Sequence, residues 1–168
     1  MKRATRMPAC EPNDQDTVSI EIAVRFAKLA GSRDNAFVLV HALHDGVPAR
    51  LTTSTSAAPG AKPVITEIAP PAGMTWHDVK MALMLARDAL QCYGVWRPSC
   101  RELRAALTGG EVAARDGSAV ALRGVLNMRA EGLNWGRIAA ERFLRREAMH
   151  AASRDALRQP ERESVAMG

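Results

Sequence analysis

The apolar positions of this chain follow two regimes, separated by the strongest punctuation in the sequence, the Pro-Pro-Ala-Gly stretch at residues 70–73. Before it, Ile20, Ala23, Val24 and Ala27 recur at helical spacing over residues 16–30, with Gly31 placed as a helix stop. Val18, Ile20, Ile22 and Val24 also alternate, so a strand stays open as a reading of that stretch. Residues 36–43 form a β-rich apolar run. With Asp45-Gly46 as a turn and residues 47–55 as a second arm, they predict a hairpin. Pro48 puts the second arm at a sheet edge, and residues 64–68 add a short third strand.

After the break the pattern is helical. Thr75 is placed to cap a helix, and Trp76, Val79, Leu83, Ala86, Leu90 and Tyr93 form one stripe that it would bury before Gly94. Ser99 and Glu102 make an S-x-x-E capping box for a helix that runs to Leu107. Ser118 is read as the cap of the next helix, with Leu122, Val125 and Leu126 facing inward and Gly132 ending it. Two more helices follow, over about 135–143 and 146–158, and Pro160 closes the pattern.

The expected fold class is α+β: a small N-terminal helix plus β-hairpin region, then a compact all-helical domain containing a helix-turn-helix. The expected divisions are a flexible tail (1–15), the α/β-hairpin region with its linker (16–73), the helical domain (74–159) and a second tail (160–168).

Composition narrows the class. Of 168 residues, 47% are hydrophobic and 24% charged, ordinary values for a globular protein. Aromatics at 4% leave a core of Ala, Leu, Val, Ile and Met, and Trp76, Trp96 and Trp135 are expected to anchor its C-terminal half. Net charge of +5 permits a polyanionic partner without requiring one. Cys10, Cys92 and Cys100 form no CxxC pair and no even framework, which fits a reducing, cytoplasmic location. No apolar run is long enough for a signal peptide or a membrane span, so no membrane is expected.

Catalytic signatures are missing from the sequence. There is no G-x-S-x-G and no Lys-Ser/Thr after Gly109-Gly110. On a strand His41 and His44 would face opposite ways, so no metal is expected. The expectation is a protein that is not an enzyme and carries no cofactor.

The segment with the most specific chemistry begins at Gly132. Ile138 and Ala139 offer a buried anchor and a small residue where two helices would cross, and Leu144 an apolar plug at a turn. Met149, Ala152 and Ala156 give the second helix an inward stripe, opposite Arg146, His150, Ser153, Arg154 and Arg158. Arg154 and Arg158 are i, i+4 neighbours whose repulsion a phosphate would relieve.

Residues 128–139, Met-Arg-Ala-Glu-Gly-Leu-Asn-Trp-Gly-Arg-Ile-Ala, resemble the opening of sigma-factor-like helix-turn-helix proteins. The resemblance implies DNA binding, with the helix around 146–158 in the major groove. Arg145, Arg146, His150, Arg154 and Arg158 would contact DNA. Asn134, Trp135 and Arg137 would lie near its backbone, where helix N-terminal amides also favour phosphate. The chain departs from such motifs at Phe143 and Arg145, where they carry Gly and Ser or Thr, so one continuous helix over 135–158 is the structural alternative.

Residues 94–103, Gly-Val-Trp-Arg-Pro-Ser-Cys-Arg-Glu-Leu, are similar to the opening of winged-helix repressors of the SOS type, which would make 118–131 the recognition helix. Both resemblances imply double-stranded DNA as partner and a bacterial or phage transcriptional regulator or accessory factor as function. RNA polymerase or another protein, and a second copy of the chain, are further expected partners. The competing expectation is a helical protein–protein interaction module with no nucleic acid.

Overall fold

Local caps set where most of the helices begin and end. In the computed structural model, which describes residues 14–53 and 63–158, helix α1 (Asp14–Ala30) ends at Gly31. The strand alternative for residues 18–24 is not taken up. Ser32 then caps α2 (Arg33–Asp45), its side chain accepting from the Asn35 backbone N–H. Gly46, at φ 73°, closes α2 in the left-handed conformation that glycine adopts without steric cost. A hairpin follows, β1 (Ala49–Thr53) paired antiparallel with β2 (Val64–Ile68), Ala49 opposite Ile68 and Thr53 opposite Val64.

The expected first hairpin arm over residues 36–43 is therefore corrected to a helix. Ala36, Leu39, Val40 and Leu43 are buried at helical spacing. Phe37 and Val38 are apolar as well, but exposed, so composition alone hides the period. The deciding group is Asn35, 4% exposed. Its Nδ2 donates to the carbonyls of Ala30 (3.0 Å) and Thr52 (2.9 Å), and its Oδ1 accepts from the Thr52 N–H at 3.0 Å. One amide thus ties α1, α2 and β1 together.

The second regime matches its caps. Thr75 caps α3 (Trp76–Cys92), and Ser99 with Glu102 forms the full capping box of α4 (Cys100–Thr108). The next stretch departs from expectation. Ser118 does not cap a helix: its N–H and hydroxyl both donate to Asp116 Oδ1, at 2.9 and 2.6 Å. Asp116-Gly117 turns the chain between β3 (Gly110–Ala113) and β4 (Ala119–Leu122). The C-terminal part therefore contains a β-hairpin and is not all-helical, and the helix expected to start at Ser118 shrinks to α5 (Val125–Ala130).

The last element, α6 (Trp135–Arg158), is one helix of 24 residues. The expected turn at residues 143–145 does not form. Residues 137–158 contain no Gly or Pro and are mostly Ala, Arg, Glu, Leu and Met, all strong helix formers, so nothing there lowers the cost of leaving the helix.

Both halves contribute to one buried cluster, which extends from Ile22 on α1 to Ile138 on α6 and includes Leu51, Leu83, Leu103 and Leu126. Trp76 and Trp135 pack against it half-buried, whereas Trp96 is 68% exposed and does not anchor it. The expected tails and much of the linker lie outside the described residues, apart from the start of α1. No helix among the described residues is long and apolar enough to cross a membrane.

Candidate nucleic-acid interface

The start of α6 is fastened from several sides. α5 ends in a tight reversal, with the Gly132 N–H donating to the Arg129 carbonyl and the Leu133 N–H to that of Met128. Asn134 then caps α6, its Oδ1 accepting from the Arg137 N–H at 2.9 Å. Trp135 donates its indole N–H to Asp78 on α3, and the Arg129 guanidinium lies over the indole ring at 4.9 Å from its centroid. The Trp135 hydrogen bond is the main reason the Asp78 carboxyl sits below its ordinary value, with Thr75 and Arg129 adding to the effect against burial. Ile138, fully buried, completes the attachment.

Arg123, at the end of β4, pairs with Glu131 and with Glu141 of α6 (3.4 Å). That pairing consumes two carboxylates near α6 and leaves its arginines less compensated. Arg137 and Arg146 are exposed and make no ion pair among the described residues, nor does the exposed Arg154. Arg145 donates to the Tyr93 hydroxyl at 3.5 Å. His150 and Arg158 lie within the helix, and their side chains are outside the described residues.

From Phe143 to Ala148 every residue is exposed. Leu144, expected as a buried plug, is 67% exposed because no turn exists for it to fill. The unbroken helix joins what the expected turn would have separated. Arg142, Arg146, His150, Arg154 and Arg158 recur at every fourth residue, a rise of about 6 Å per step along one continuous helix. The turn expected beside Arg142 hides it in the sequence. The four-residue spacing itself was visible.

Of the expected DNA contacts, Arg137, Arg145, Arg146 and Arg154 share α6 and are exposed. Asn134 and Trp135 sit at its start, but both are engaged within the protein, Asn134 as a cap and Trp135 with Asp78.

His41 and His44 do not face apart. On α2 both approach Trp76, His44 stacked on it at 3.7 Å between centroids and His41 edge-on at 5.7 Å. No cluster of metal-ligating side chains occurs among the described residues. No protein-family model, curated protein or solved structure matches the chain.

Proposed function

We propose that this chain binds double-stranded DNA through the arginines of α6, as a transcriptional regulator or accessory factor. The observation that carries the reading is the run of basic residues at four-residue intervals on one unbroken helix, with Arg146 and Arg154 solvent-exposed. Like charges at i, i+4 destabilise a free helix by about 0.2–0.5 kcal/mol per pair. A polyanion converts that repulsion into attraction. Since α6 has no turn at residues 143–145, the contacts proposed are from Arg137, Arg146, Arg154 and Arg158 to phosphates. Trp135 holds the start of the helix in place.

The test is a salt titration of binding to duplex DNA. Four neutralised phosphates give a slope of log affinity against log salt of about −3.6. Arg154→Glu with Arg158→Glu is expected to weaken binding at low salt by at least about 10-fold. No binding at low salt, or an affinity indifferent to salt, ends this reading.

A second reading, a protein-interaction role through self-association, is favoured by the outer face of α1 and α2. Val18, Ile20, Val24, Phe37 and Val38 are all between 38% and 56% exposed. A second copy is the proposed occupant. Ile20→Lys with Phe37→Lys would convert a dimer to a monomer in light scattering, and a wild-type monomer at high concentration excludes it.

A further inference from the structure

Arg142 is 9% exposed, and its Nε has no hydrogen-bond partner among the described residues. Its Nη2 donates to the Met128 sulfur at 3.9 Å, a weak acceptor. A buried guanidinium is costly unless an anion or several acceptors meet it. The nearby acids are engaged elsewhere. Glu141 pairs with Arg123, and Asp88 lies 3.6 Å from Arg87. Cys92 is no counter-ion either, since burial pushes its thiol up and keeps it neutral. Burial and the neighbouring Arg145 both push the Arg142 guanidinium down, so the chain itself compensates this charge poorly.

Arg142 lines a groove of about 530 Å³ between α3 and α6, and so does Arg146 one turn further on. The rest of the wall is largely apolar: Leu85, Cys92, Trp96, Ala139 and Phe143. Trp96 and Phe143 are 68% and 58% exposed, and together they put two large aromatics on one open wall. The volume falls in the range of about 300–1,000 Å³ typical of small-molecule sites. Asp88 and Gln91 are the other polar residues on the wall, and the acid limits how much negative charge the groove accepts.

We propose that this groove binds a small amphipathic monocarboxylate, its carboxylate held by Arg142 and Arg146 and its apolar body laid against Trp96 and Phe143. The groove shares Arg146 with the proposed DNA contacts, but the proposal does not rest on that reading, and its test uses no nucleic acid.

Calorimetric titration of the full chain with octanoate, 1-octanol and octyl phosphate separates the outcomes. Octanoate is expected to bind saturably and at least about 10-fold more tightly than octanol, the worth of one charge-assisted hydrogen bond. Arg142→Met is expected to remove that advantage. Arg146→Gln, at an exposed position that leaves folding intact, is expected to reduce it. Equal binding of octanol, absence of saturable octanoate binding, or an Arg146→Gln affinity equal to wild type overturns the proposal. Tighter binding of octyl phosphate overturns the monocarboxylate assignment.

Discussion

Helices α3 and α6 are the two long helices of the C-terminal half, and they spend their residues in opposite ways. α3 buries Val79, Ala82, Leu83, Leu85, Ala86, Ala89 and Leu90 along its length. α6 buries Ile138 and Arg142, and then exposes every residue from Phe143 to Ala148. The first helix is held by the core. The second is held by its first two turns, through the Asn134 cap, the Trp135–Asp78 hydrogen bond and Ile138. A helix attached at one end and basic along the other is available for contact in a way that a core helix is not.

The widest test of that contrast is truncation of one leucine in each helix. Leu83→Ala is expected to cost about 2–5 kcal/mol in urea unfolding, as a fully buried leucine does. Leu144→Ala is expected to stay within about 0.5 kcal/mol, as an exposed position does. A large loss from Leu144 would mean that the outer half of α6 is packed against something.

A smaller effect is expected at the attachment point. Trp135→Phe keeps a ring under Arg129 but removes the donor to Asp78, at an expected cost of about 1 kcal/mol near neutral pH. The sign of its pH dependence follows from Asp78, whose folded value is depressed. Stability from that carboxylate is complete above the ordinary unfolded carboxylate value and is lost as pH falls through the lowered folded one. The gap between wild type and variant should therefore close in acid. A gap that persists unchanged at the acid end would show that the ionised carboxylate is not what Trp135 stabilises.

The smallest change in global stability is expected from the most disruptive substitution. Glu147→Pro breaks a helix interior, which costs about 3 kcal/mol locally. Since residues 143–148 are all exposed, that cost should appear as lost helicity in circular dichroism, with the urea midpoint almost unmoved. DNA affinity should fall in parallel. A midpoint shift as large as that of Leu83→Ala would erase the distinction between the two helices.

The candidate site was legible in part. The arginines of residues 137–158 and the helix start near Asn134 were readable, because composition and a cap are local. The buried, uncompensated state of Arg142 was not, since it depends on Arg123 claiming Glu141 across 18 positions of sequence. The groove depends on α3 meeting α6, which no local pattern encodes.

The sequence by itself determined what four or five neighbouring residues can decide. Thr75 and the Ser99–Glu102 box mark helix starts by satisfying backbone groups within one turn, and Gly31 marks a helix end by its left-handed backbone. The Asp116-Gly117 turn and the lack of any breaker at residues 143–145 were equally local, and equally present in the sequence. Tertiary structure decided residues 36–43, because an apolar run interrupted only by His41 fits strand or helix until burial selects a face. It also decided that α6 leaves the core after its first two turns. Helix propensity makes a helix continue, but only packing determines which part of it is covered and which part is left for a partner.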